Sequence, residues 1–229
     1  MKYAGFVPVR QLVLVDLLGL IMATRPGERA VVAVDGVDGV GKSYLVAELL
    51  ALADRLAGRE LLSVSMDGFH RPRAMREADG RTSETYYRNS FDYAAFGRHV
   101  LTPFRGGREI VPAIHDVSSD QPILPDAIEA SADAVLLVDG VFLHRPELTA
   151  EWDASLFVHA PFDVSVPRGN ARLAARQAGD DDPGHPANAR SVQAQRFYLE
   201  QAPGQQATWV LDNSDLAQPT LDWGAEVGP

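Results

Sequence analysis

The chain contains no cysteine, which excludes disulfides, thiolate metal sites and cysteine nucleophiles and fits a reducing compartment. It also lacks an apolar run able to cross a bilayer. The best candidate, residues 9–23 (VRQLVLVDLLGLIMA), is interrupted by Arg10 and Asp16 and falls short of the ~20 residues a span requires. With a single lysine ahead of it and no small-residue cleavage site, this segment reads as a helix packed on the domain rather than a signal peptide. Basic charge is scarce: 21 Lys and Arg face 31 Asp and Glu, a formal net charge of −10. Such a chain repels nucleic-acid backbones unless it carries a local basic patch, and no strong one is visible. Internal repeats are absent as well. What remains is a cytoplasmic globular protein without a membrane or nucleic-acid partner. Its 229 residues suffice for one α/β domain with a sizeable core.

The ordered part of the pattern is an alternation. Residues 30–35 (AVVAVD) form a continuous β-branched run of the kind buried on both faces of a sheet. Helical periodicity follows over 44–57 and ends at Gly58. Further strands are expected at 61–66 (LLSVSM), 109–114, 134–138 (AVLLV), 154–159 (ASLFVH) and 208–211 (TWVL), the one at 109–114 being the weakest. Helical stretches near 93–101, 164–178 and 189–201 separate most of them. Strands alternating with helices imply right-handed crossovers and a doubly wound, mainly parallel sheet of about five strands with helices on both faces. Residues 1–28 read as a helical extension, 71–90 and 179–186 as loops. Sites in such sheets form at the carboxyl ends of strands, which directs attention to Asp67, His115 and Asp139.

Residues 36–43 read GVDGVGKS and match G-x-x-x-x-G-K-[ST]. The motif follows a buried strand and opens an amphipathic helix, the context a phosphate-binding loop requires. Glycines let main-chain N–H groups converge on phosphate oxygens, and the helix N-terminus adds positive potential. Gly36, Asp38, Gly39, Val40, Gly41, Lys42, Ser43 and Tyr44 are therefore the expected nucleotide contacts. Lys42 would reach the β- and γ-phosphates, and Ser43 would offer its hydroxyl to Mg²⁺. The fold this predicts is that of the P-loop nucleoside triphosphate hydrolases. Asp139, ending an apolar strand, takes the place of the second magnesium-binding group. Asp67, ending the second strand, would face the nucleotide and could accept the proton of an attacking hydroxyl. His70 and Arg71 follow it closely enough to touch an acceptor, and Tyr86 and Tyr87 could line its pocket as flat walls. His144 reads as a packing residue, and Gln195 and Tyr198 as structural residues of a helix.

The strings MDGFH, YYRNSFDY and VLLVDGVFLHRPEL together resemble the uridine kinase-like branch of P-loop kinases, which includes phosphoribulokinase and bacterial pantothenate kinase relatives. The resemblance runs from about residue 31 to 213. It implies transfer of the γ-phosphate of ATP to a hydroxyl of a nucleoside-like or other small metabolite, with Mg²⁺ as cofactor. It also implies Asp67 as base, Asp92 as the ligand of sugar hydroxyls and Asp139 at the metal. A lid spanning 164–186 is implied to close over the phosphates with Arg168, Arg172 and Arg176, which share one helical face. The chain departs from uridine kinases at the base pocket. There the family has Tyr-Asp-Phe and then a His, whereas this chain has His115, Asp116, Val117 and Asp120. The acceptor, the choice of ATP over GTP and the oligomeric state stay open, a homodimer being the default. A P-loop ATPase acting on a partner protein, or a nucleotide binder without turnover, are the alternatives.

Overall fold

The structure, a computed structural model, describes residues 8–56, 58–171 and 181–224. Its centre is a sheet of six strands: β1 (Ala30–Asp35), β2 (Leu61–Ser65), β5 (Val135–Asp139), β6 (Ala154–His159), β7 (Trp209–Asp212) and β8 (Thr220–Trp223). They run in the order β2-β5-β1-β6-β7-β8. All neighbours pair in parallel except β7 and β8, which are antiparallel. Every residue of β1 and β5 is buried, as their unbroken Val/Leu/Ala composition demands of central strands. β1 alternates its side chains between two cores: Ala30, Val32 and Val34 point to one, Val31 and Ala33 to the other.

The first core is covered by α1 (Val9–Met22), through Leu14, Leu17, Leu18 and Ile21, and by α2 (Lys42–Leu56), through Leu45, Val46, Leu49 and Leu52. α1 thus completes a face of the domain. Among the described residues no helix is long and apolar enough to cross a membrane. The second core is aromatic, with Phe69, Phe91, Phe96, Phe104, Phe142 and Tyr198 all at most 2% exposed. At about 25 cal/mol per Å² of apolar surface, a fully buried ring of this size stabilises by roughly 2–3 kcal/mol.

Two expectations about the acceptor side change. The stretch 71–90 is not a plain loop: it holds α3 (Arg73–Arg76) and α4 (Ser83–Asn89). α4 begins with a reciprocal cap in which Thr82 and Thr85 satisfy each other's main-chain N–H groups. The strand expected at 109–114 does not form. Tyr93–Phe96 (α5), a π-turn at Gly97–Leu101 and Thr102–Arg105 (α6) make one continuous helical stretch. Pro103 lacks the N–H that would bond the carbonyl of His99. That carbonyl instead accepts from Val111 N at 3.0 Å. Ile110 bridges Ile128, and a two-residue hairpin of β3 (His115–Asp116) and β4 (Gln121–Pro122) follows. The segment's hydrogen bonds therefore go to a helix and to short bridges, leaving none for a sheet.

After β6 comes α7 (Phe162–Ala171), which holds Pro167 in its interior. α8 (Ala189–Leu199) and the single-turn α9 (Pro203–Gln206) lead into β7. Arg172 and Arg176 lie outside the described residues, as does part of the expected lid at 164–186.

Candidate phosphoryl-transfer site

Three strand ends meet at one edge of the sheet. The register sets Asp139 beside Ser65 of β2 and Val34 of β1, so the loop after β1, the turn after β2 and the Asp139 carboxylate are neighbours. Gly140 follows Asp139 because a Cβ there would lie 2.7 Å from Met66 Cβ. The Asp-Gly pair thus marks a close approach between β2 and β5.

The loop 36–41 bends through three glycines at positive φ: Gly36 (148°), Gly39 (78°) and Gly41 (99°). Among the described residues, the main-chain N–H groups of Gly39, Val40, Gly41, Lys42 and Ser43 donate to no protein acceptor. Five successive unsatisfied donors at a helix N-terminus form an anion cradle. Lys42 curls back over it, its Nζ 2.8 Å from the Gly36 carbonyl and 2.9 Å from that of Val37. Asp38, Ser43 and Tyr44 are exposed, so the cradle opens to solvent.

Asp35, fully buried at the end of β1, anchors the loop from beneath. Its carboxylate accepts from Gly36 N at 2.7 Å, from His144 Nδ1 at 2.7 Å and His144 N at 3.1 Å, and from the Tyr198 hydroxyl. Burial pushes its pKa up, but the contacts with His144, Tyr198 and Gly36 outweigh that and hold it below the usual range. His144 Nε2 lies 2.9 Å from Ser155 Oγ. Asn213 holds the other flank, donating to the Val40 carbonyl at 2.7 Å and accepting from Arg10 at 3.0 Å. His144 and Tyr198 thus pack as the sequence suggests, yet they pack on the cradle's own anchor.

Ser43 Oγ donates to Asp139 Oδ2 at 3.3 Å. Burial raises the Asp139 pKa and the nearby Asp67 raises it further, while Lys42 and the hydroxyls of Ser43 and Ser65 pull it down. A hydroxyl and a buried carboxylate beside a phosphate cradle are the hard oxygen donors Mg²⁺ takes, with phosphate and water completing its shell. Among the described residues no cluster of three or more His, Asp or Glu side chains could hold a metal.

On the acceptor side, Asp67 sits in a 3-10 turn (Met66–Phe69) capped by Ser65 Oγ. Its side chain is 69% exposed. His70 Nδ1 lies 3.1 Å from the Asp67 carbonyl and 4.0 Å from its carboxylate, and the ring packs edge-on against Phe91. Main-chain bonds from Arg71 N to Ser90 O and from Asp92 N to Phe69 O, both 2.9 Å, set this turn alongside the FD motif. Asp92 caps α5 by accepting from Ala95 N at 2.8 Å. His115, 5% exposed, has Nε2 3.4 Å from Asp120 Oδ1. Burial lowers the His70 pKa against the pull of Asp67, and His115 is one of the groups facing it. Asp67, His70 and His115 therefore lie near one another, and the main-chain ladder brings Arg71 and Asp92 alongside.

Other expected contacts lie elsewhere. Tyr87 is 8% exposed, gives its hydroxyl to Gln201 at 3.1 Å and packs edge-on against Phe142 and Phe197. It belongs to the aromatic core and leaves the substrate set. Arg168 donates to the carbonyls of Asn213 and Ser214 at 2.7 and 2.6 Å. It braces the turn after β7, whose Asn213 side chain in turn holds the Val40 carbonyl of the loop. Gln195, read from the sequence as structural, holds the loop itself: its amide spans Asp38, accepting from Asp38 N at 2.9 Å and donating to Asp38 Oδ2 at 2.6 Å. Tyr86 donates to the same oxygen at 3.0 Å. No periodicity marks Gln195; only its burial, at 2% exposure, singles it out.

No protein-family model matches the chain. Solved structures do. A "possible uridine kinase" from Bacillus stearothermophilus superposes with a TM-score of 0.69 and 20% identity, over 87% of this chain and 97% of that one. A candidate fructose transport system kinase from Silicibacter sp. TM1040 gives 0.61 and 24% identity over 83% and 95%. Phosphoribulokinase from Rhodobacter spheroides gives 0.52 and 13% over 82% and 74%.

Proposed function

From a fold shared with the P-loop kinases of uridine kinase and phosphoribulokinase type, we propose that the protein is an ATP-dependent kinase whose acceptor is the hydroxyl of a small metabolite. The observation that carries this reading is the pairing of an open cradle with an exposed carboxylate across the strand ends. The amides of Gly39 to Ser43 bind the polyphosphate tail, and Lys42 turns from the loop carbonyls to its outer oxygens. Mg²⁺, held by Ser43 and Asp139, would neutralise charge on the phosphates. Asp67 accepts the proton of the attacking hydroxyl, and His70, Arg71, Asp92 and His115 hold the acceptor. Arg172, and Arg168 once released from β7, complete the charge balance. Arrangement does the chemistry here: most of the barrier is lowered by positioning and by fixed dipoles aimed at the transferred group.

A carboxylate base serves hydrolysis as well as transfer, but a water-orienting ATPase would give no task to His70, Arg71, Asp92 and His115 gathered near Asp67, which favours transfer over hydrolysis. The test is calorimetric titration with magnesium and a non-hydrolysable ATP analogue. Wild type is expected to bind only with magnesium present, and Lys42→Ala to bind at least about tenfold more weakly with unchanged circular dichroism. Magnesium-independent or absent binding by folded protein would remove the basis of the proposal.

A further inference from the structure

A carboxylate in a phosphate cradle needs an explanation. Asp38 occupies a variable position of the loop, where a negative charge repels the tail the loop is built to hold. Its main-chain N–H, which would otherwise join the cradle, is taken by Gln195 Oε1 at 2.9 Å. Its carboxylate is turned to two donors on two elements: Gln195 Nε2 of α8 at 2.6 Å and the Tyr86 hydroxyl of α4 at 3.0 Å. Both partners are themselves fixed. Gln195 is 2% exposed. The Tyr86 ring packs edge-on against Phe142 at 5.9 Å, with Arg190 over it at 5.4 Å. α4 and α8 pack directly on each other. α4 also leads through Ser90 into the ladder that carries Arg71 and Asp92.

Resting on the phosphoryl-transfer reading above, we propose that Asp38 is a positioning residue. Through Gln195 and Tyr86 it registers the acceptor wall against the phosphate cradle, at a cost in nucleotide affinity. The two hydrogen bonds draw the charge sideways, away from the amides of Gly39 to Ser43. They also make the cradle's apex and the N-terminal half of α4 move as one. Filling the cradle stiffens the loop, and the clamp passes that order to the wall where the acceptor docks. A residue with only a structural role would weaken nucleotide binding when removed. Asp38 is expected to do the opposite.

The experiment measures two quantities on the full chain with magnesium and the non-hydrolysable ATP analogue: affinity by calorimetry, and amide hydrogen exchange across residues 83–89. In wild type, nucleotide slows exchange in α4. Asp38→Ala is expected to bind the analogue about threefold more tightly, since a nearby unit charge has gone, while α4 exchange no longer responds. Tyr86→Phe removes one hydroxyl from an otherwise intact ring. It should lose the α4 response while affinity stays within about twofold of wild type. Weaker binding by Asp38→Ala, or an α4 response retained in Tyr86→Phe, overturns the clamp and leaves the phosphoryl-transfer reading standing. Wild-type protein that takes up no nucleotide overturns both.

Discussion

A carboxylate buried at the end of a central strand is costly unless a cation joins it, and Asp139 is such a group. Its folded-state pKa is raised by burial and by Asp67. The sign follows directly: a carboxyl with a raised folded pKa favours the folded state at low pH, and that contribution is lost as pH rises through the folded value. Ionising this buried carboxyl is costly, and Mg²⁺ arriving with nucleotide would offset that cost. Asp139→Asn is expected to raise the melting temperature of the ligand-free protein by roughly 2–4 °C at neutral pH. It should also abolish the further rise that magnesium and nucleotide together give wild type. A variant that melts lower, or still responds to magnesium, would assign Asp139 a purely structural task. Asp35 has the opposite sign. Its pKa is lowered, so its contribution is present above the unfolded value and lost as pH falls through the folded one.

Elements decide how closely the cradle is built. α7 crosses the loop so tightly that a Cβ on Gly39 would lie 1.9 Å from the Ser165 carbonyl and 2.8 Å from Gly169 N. Gly19 on α1 meets nothing within 4 Å. The two positions make a controlled pair. Gly39→Ala should destabilise by on the order of 2 kcal/mol or more, through positive φ and the clash with α7. Gly19→Ala should stabilise by about 0.5–1 kcal/mol through helix propensity. Urea denaturation of both variants checks the pair, and equal effects would mean that α7 does not rest on the loop. At this scale the sequence is unevenly legible. β1, α2 and β5 were legible because buried apolar runs and helical periodicity are local signals. α4 was hidden because its cap uses Thr82 and Thr85, without the usual acid at the third helical position. The weak strand at 109–114 misled because Ile110 and Ile114 look β-like, whereas Pro103 and His99 decide where that segment bonds.

At the scale of the whole molecule, the sheet order puts β1 between β5 and β6. That placement delivers the cradle, Asp67 and Asp139 to one edge even though they stand far apart in the chain. The motif residues were legible because phosphate chemistry restricts their types and spacing. The supporting residues were not: Asp35, Gln195 and Asn213 act through contacts between elements distant in sequence, which no local pattern reports. The assignment of Tyr87 failed for the same reason, since adjacent tyrosines on α4 diverge, one to the loop and one to the core. With a net charge of −10, the chain would draw the nucleotide of the proposed reaction only through this local arrangement.

The central claim is transfer, and it is tested by giving the protein γ-labelled ATP, magnesium and a pool of nucleosides, sugars, sugar phosphates and vitamin alcohols, then separating the labelled products. Wild type is predicted to place label on an organic acceptor. Asp67→Asn is predicted to do so about 100-fold to 10,000-fold more slowly while binding nucleotide equally well. Label appearing only as inorganic phosphate, at the same rate in both proteins, would contradict the account.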